Sequence, residues 1–238
     1  MLVCVSLCVR AQSFEVASIK PADPSAYGSS ARSTPGQFVM ENMSLKEWME
    51  IAFDVKDFSL AGPPWLDSAR FNVTARAPEP AAKWAVTQAM LRNLLVERFK
   101  MAFHREPKVL PAYVLVVDKK GLKLTPSTAT EGNSNTSEGR VVRITATHVT
   151  LADLADMLSQ QLRGPVKDST GLTGYYNVKL QYAPYDAAAS ESARSKEDNP
   201  ASSVFAALQE QAGLKLETRK TQVDILVIDY IERQPSEN

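Results

Sequence analysis

The sequence predicts an α+β fold made by tandem duplication of a βαββαββ unit, forming two small mixed sheets with helices packed on them. Three observations carry this. "FVMENMSLKEWMEIAFDV" lies over "ITATHVTLADLADMLSQQ" without a gap, so that Phe38, Leu45, Trp48, Ile51 and Ala52 fall over Ile144, Leu151, Leu154, Met157 and Leu158. A Gly-Pro break follows in each copy, at Gly62-Pro63 and Gly164-Pro165. The apolar strand "YVLVVD" late in the first copy has its counterpart in "DILVID". Agreement of spacing, breaks and closing strands in one order argues for a repeat over coincidence.

Each element follows from local chemistry. "FEVASIKP", residues 14–21, lies outside the repeat and adds a strand to one sheet. Ser44 with Glu47, and Thr150 with Asp153, place a hydroxyl where it accepts from an orphan backbone N–H, with an acid three residues on at the positive helix end. Leu45, Trp48, Met49, Ala52 and Phe53 then form one apolar stripe, as do Leu151, Leu154, Ala155, Leu158 and Leu162. The Gly-Pro pairs stop both helices. "RFNVTARAP" and "YYNVKLQYAP" alternate as strands.

A second helix is expected from about Pro80 to Arg98, with Trp84, Leu91, Leu94 and Leu95 inward. Its counterpart follows Asn199-Pro200, burying Val204, Phe205 and Leu208 before Gly213. "FKMAFHRE" with "YVLVVD", and "LKLETRKT" with "DILVID", are read as a terminal hairpin in each copy. The resulting division is 1–12 as a signal-peptide remnant, 13–126 as the first half, 127–140 as a polar linker and 141–234 as the second half. Both the linker and a loop at 186–199 are expected to be mobile, because their polar residues have nothing to bury.

Composition excludes several functions. The chain of 238 residues carries 27 Lys and Arg against 27 Asp and Glu, so no overall field draws it to nucleic acid. No apolar run reaches the roughly 20 residues of a membrane helix. "MLVCVSLCVRAQS" ends in small and polar residues as the tail of a secretory signal does, which places the mature protein in the periplasm or medium after cleavage near Gln12. Both cysteines, Cys4 and Cys8, lie in that stretch. Structural disulfides and thiolate chemistry are therefore not expected of the mature chain.

No catalytic residue, metal ligand set or cofactor is assigned. Only His104 and His148 are available, without metal-ligand spacing, and there is no Gly-x-Ser-x-Gly, phosphate loop or Gly-x-Gly-x-x-Gly. The candidate binding residues are Trp65, His148, Asp168, Thr170, Gly171 and Gly174. Trp65 is either an exposed anchor for a peptide or sugar, or a tryptophan closing its own half. His148 is either an acid–base residue near Asp153 or Asp168, or a half-exposed strand end. "DSTGLTGYY" either binds an anion or simply turns the chain. The eight Lys and Arg from Arg92 to Lys123 form either a basic face for an acidic partner or a solvated strand face.

"VTLADLADMLSQQL" and "VFAALQEQAGLKLE" resemble the short N-terminal domain of secretins and TonB-dependent receptors. "FEVASIKP", "GPPWLDSARFNV", "LLVERFKMAFHRE", "YVLVVDKKGLKL", "DSTGLTGYYNVKL", "LQEQAGLKLE" and "LVIDYIERQPSEN" resemble an exported, Solibacter-type family expanded in soil acidobacteria, domain of unknown function 3738. Relatives of that domain occur attached to antirepressor-type membrane metallopeptidases, whose peptidase motif this chain lacks. The resemblance implies an extracytoplasmic sensing or interaction role; with the repeated fold and the missing catalytic motifs, the expected function is a non-enzymatic module that binds a protein partner by strand addition. The alternatives are a hydrolase or small-ligand protein with a site between the halves near His148, and a glycan-binding adhesin using Trp65.

Overall fold

A computed structural model describes residues 13–77, 83–137, 139, 141–184 and 203–236. These form a mixed α+β protein of four α-helices and three small, mostly antiparallel sheets. The chain opens with β1 (Val16–Pro21), β2 (Ser30–Thr34), β3 (Gln37–Ser44), α1 (Leu45–Phe53), β4 (Leu60–Ala61), β5 (Arg70–Arg76) and α2 (Trp84–Phe99). It continues with β6 (Ala102–Val117), β7 (Thr125–Pro126), β8 (Asn133–Ser137), β9 (Val142–Val149), α3 (Leu151–Leu162) and β10 (Val166–Asp168). β11 (Tyr176–Tyr182), α4 (Val204–Ala207) and β12 (Leu214–Tyr230) complete it. The expected signal remnant at 1–12 and the loop at 186–199 lie outside the described residues.

In the first unit, β1-β5-β3-β2 make an antiparallel sheet, and β1 is the added strand expected at 14–21. Strand β3 alternates until Asn42, where one extra residue with φ 50° bulges the strand and Met43, Ser44 and Leu45 are all buried. Ser44 Oγ accepts from Glu47 N–H at 3.1 Å while Ser44 N–H donates to Glu47 Oε2 at 2.8 Å, a reciprocal cap of about 1 kcal/mol. Trp48 from α1 and Phe71 from β5 both meet Phe99 edge-on, at 5.6 and 5.2 Å. Gln88 of α2 donates to the Ile51 carbonyl at 3.0 Å, tying the helices together. Trp84, expected inward, is half exposed and only tilts against Phe38. It is the first residue of its helix, so no preceding turn covers it.

The second unit uses the same devices. β7-β11-β9-β8 make an antiparallel sheet, and β9 carries an extra residue at His148 with φ 53°. Thr150 Oγ1 accepts from Asp153 N–H at 3.1 Å, and Thr150 N–H donates to Asp153 Oδ2 at 2.8 Å. Helix α3 then buries Leu151, Leu154, Ala155, Leu158 and Leu162 against Val178, Leu180 and Tyr182 of β11. α4 passes into one π-helical turn, Leu208–Ala212, which Gly213 ends at φ 66°. The polar segment read as a mobile linker holds β8, because an edge strand needs only its backbone bonds to β9 and no buried side chains.

The closing strands differ most from expectation. Residues 102–117 form one unbroken strand and residues 214–230 another, where a hairpin was expected in each copy. "EPKVLPA" and "ETRKTQV" hold no Gly or Asn to turn the chain, and Pro107 and Pro111 keep β6 extended. The compact units divide at 107/108 and 223/224. One comprises the chain through Pro107 with Asp224 onward, the other Lys108–Val223. "DILVID" packs Leu226 and Ile228 into the first core and pairs with β4, whereas "YVLVVD" packs Leu115 into the second and pairs with β10.

Gly213 is required twice, by its positive φ and because a Cβ there would fall on the Gly121 carbonyl. Gly171 also has positive φ, at 69°, but faces open space. Urea denaturation is expected to show Gly213→Ala losing roughly 3 kcal/mol and Gly171→Ala roughly 1 kcal/mol.

Candidate functional site

The corner where β9 leaves its sheet is built by the bulge. With φ at 53°, His148 turns its ring onto Tyr175, which stacks on it at 3.8 Å between centroids and 9° between planes. His148 Nδ1 and Asn177 Oδ1, both shielded from solvent, have no hydrogen-bond partner among the described residues. The carboxylates considered for His148 are committed elsewhere. Asp153 Oδ2 accepts from both the N–H and the hydroxyl of Thr150. Asp168 Oδ1 accepts from the N–H and hydroxyl of Thr170 at 2.9 and 2.8 Å.

Thr170 Oγ1 in turn accepts from Leu172 N–H at 3.2 Å, and Gly171 and Gly174 take positive φ. "DSTGLTGYY" is thus a self-bonded turn, with the side chains of Asp168 and Thr170 directed at their own backbone. Its end reaches His148 through Tyr175, a residue the sequence reading did not single out. The signal for it was an aromatic at the start of the strand that pairs with the bulge.

Trp65 belongs to a 3-10 turn, Pro64–Asp67, and packs against the first core. The Arg233 guanidinium lies 5.1 Å over its ring. Trp65 belongs to the first unit, and the other candidates all belong to the second.

A histidine–carboxylate pair does form, at His104. Its Nδ1 lies 2.9 and 3.0 Å from the two Asp229 oxygens, on neighbouring strands β6 and β12. The Asp229 carboxylate holds the imidazole above its usual pKa, with Glu106 adding to the effect. Both side chains are about half exposed. The pair can hold a proton, but no hydroxyl or thiol is bonded to it among the described residues. Along the basic stretch, Arg105 pairs with Asp224, Lys100 donates to the Glu97 carbonyl, Arg98 to Ser236 and Lys123 to Glu210, and Arg92 lies over Phe53. The basic stretch is in large part committed to local partners.

The most displaced acid is Glu50 on α1, pushed up to about 7, first by burial and then by Asp57. Lys46 one turn earlier is bonded to Asp57 and Asp67, and its charge offsets the rise only in part.

At the sheet edges, β8 is exposed at all five residues and, among the described residues, pairs only with β9. It contains no charge and no proline. β2, one of the two edges of the other antiparallel sheet, carries Arg32 paired with Glu41 at 3.0 Å. Among the described residues no group of acids and histidines is arranged to hold a metal ion, and no helix is long and apolar enough to cross a membrane.

Fold and edges together define an α+β protein of two compact units whose small sheets keep open edge strands. A family described as protein of unknown function (DUF3738) matches residues 46–231, and the chain belongs to that family. No curated protein and no solved structure matches it.

Two titrations follow. The Glu50 folded pKa of about 7 lies above its ordinary 4.5, so the native state holds the extra proton between those values and loses stability as pH rises through that window. Glu50→Gln is expected to gain on the parent by about 1 kcal/mol from pH ~4.5 to pH ~8, after discounting for solvent screening, in urea melts at both pH values. His104 shifts stability in the same direction: its raised pKa contributes stability that is present below the unfolded pKa and lost as pH rises through the folded one. Asp229→Asn is expected to lower the His104 midpoint in an imidazole NMR titration.

Proposed function

We propose that this protein is an exported, non-enzymatic interaction module that takes a strand from an extracytoplasmic protein partner along β8. The observation that carries the reading is the unguarded edge of β8: five consecutive exposed residues, "NSNTS", on an antiparallel sheet, with none of the lysines or prolines that ordinarily block edge pairing. Backbone hydrogen bonds supply the affinity of such an addition and alternate side-chain pockets the choice. The side chains are short and polar, so an incoming strand meets no bulk. Export rests on the apolar "MLVCVSLCVRAQS" leader, and the acidobacterial setting and secretin-type likeness belong to the same proposal.

The two units, in this reading, are copies of one βαββαββ ancestor whose closing strands have been exchanged. The paired bulges at Asn42 and His148, each two residues before a capping hydroxyl, support it.

The test places a photocrosslinking residue at Asn135 in the full chain and, as a control, at Lys179 on the inner strand β11. Crosslinking is carried out in the envelope and medium of the host. One partner captured from position 135, not from 179, and lost when Asn133→Lys and Asn135→Lys guard the edge, is the expected outcome. A partner captured equally from both positions, or retained by the guarded variant with unchanged circular dichroism, sinks the reading.

A further inference from the structure

The first unit contains a concave surface of about 660 Å³ that the β8 reading leaves unused. It lies on the outer face of β2, β3 and β5, and the segment around 26–29 forms its wall. β5 directs Asn72 and Thr74 to this face, two residues and so about 7 Å apart, while Val73 between them is fully buried in the core.

The wall is held by the bulge residue. Asn42, buried at 7 % exposure, donates its side-chain amide to the carbonyls of Ala26 at 3.1 Å and Gly28 at 2.6 Å. The residue between those two anchors is Tyr27, whose side chain is fully exposed. A ring with no packing partner thus stands on a backbone pinned on both sides. Asn42 N–H also donates to Asn72 Oδ1 at 2.8 Å, which orients that amide and leaves its NH₂ group without a partner among the described residues. The hydroxyls of Tyr27 and Thr74 are likewise unengaged among the described residues.

Charge narrows the ligand. The one ionised group in the lining, Glu41, is already bonded to Arg32 at 3.0 Å and to Ser30 Oγ at 3.1 Å, so neither a cation nor an anion finds a free countercharge. An apolar ligand finds little to bury against, since Met40 is fully covered and Val39 only partly exposed. What remains suits a neutral, hydroxyl-rich molecule: an aromatic face for the C–H side of a sugar ring, an oriented amide donor and two hydroxyls that both donate and accept.

We infer that the groove beside Tyr27, Asn72 and Thr74 is a binding site for neutral carbohydrate. It is independent of the strand-addition reading, because none of its residues belongs to β8 or its sheet. The second unit has His148 where the first has Asn42, and so lacks the amide that anchors this wall.

The experiment titrates laminarihexaose, cellohexaose, maltohexaose and chitohexaose, with glucose as the single-residue arm, into the full chain by calorimetry. At least one hexasaccharide is expected to bind with a Kd between about 10 μM and 1 mM. Tyr27→Ala is expected to weaken it at least about tenfold and Thr74→Val about threefold, with melting unchanged because both side chains are exposed. Glucose binding as tightly as a hexasaccharide, with the same loss in Tyr27→Ala, supports a free monosaccharide as the ligand. No binding by any of the probes up to about 10 mM, or equal affinity in Tyr27→Ala, overturns the proposal.

Discussion

Two strands without turns organise this protein. β6 and β12 each run 16 or 17 residues where a chain of this size ordinarily uses five or six, and both compact units draw residues from both strands. The cores show the dependence. Leu226, Ile228 and Ile231, near the C-terminal end, complete the core built by α1, α2 and the first antiparallel sheet. Leu115, from the end of β6, completes the core of the second unit alongside Leu214 and Leu216. The first core does not close from contiguous sequence: it needs Leu226, Ile228 and Ile231, which lie more than a hundred residues beyond the rest of that unit, whereas the second core closes within Lys108–Val223.

A second constraint is the extra residue in the strand that precedes each capped helix. A left-handed residue other than glycine costs about 1 kcal/mol or more, and the fold places one at the same point twice. What each copy obtains differs. Asn42 uses its short amide to hold the 26–28 backbone, and Arg70 braces the bulge by donating to the Asn42 carbonyl at 2.6 Å. His148 instead presents a flat ring to Tyr175, with no equivalent network. The same backbone device therefore supports a pinned polar groove in one unit and an aromatic stack in the other.

The chemistry of the surface follows from how charges are shared. Lys46 is spent on Asp57 and Asp67, which leaves Glu50 to bear its burial with only partial compensation. His104 leans on Asp229 with both side chains about half exposed, where a pair tunes protonation more than it adds stability. Neither arrangement gathers a nucleophile, an acid and an oxyanion donor at one point. The open edges of the sheets remain the surfaces with the most unspent backbone hydrogen-bonding capacity.

Sequence alone determined the α+β class, the added strand at 14–21, and the start of α1 and α3. Those signals are local: a hydroxyl with an acid three residues on, and apolar residues at helical or alternating spacing. It could also have revealed the unbroken closing strands, since "EPKVLPA" and "ETRKTQV" hold no Gly or Asn to take the positive φ of a tight hairpin turn, but the repeat made a hairpin in each copy look natural. Only the tertiary structure decided which core "DILVID" and "YVLVVD" enter, because both are equally apolar and either would satisfy the same alternation. It likewise decided the site residues. His148 was visible as a histidine before a cap, but its stack on Tyr175, and the wall that Asn42 holds around Tyr27, depend on a bulge geometry. That geometry comes from the pairing of distant strands, and no single segment encodes it.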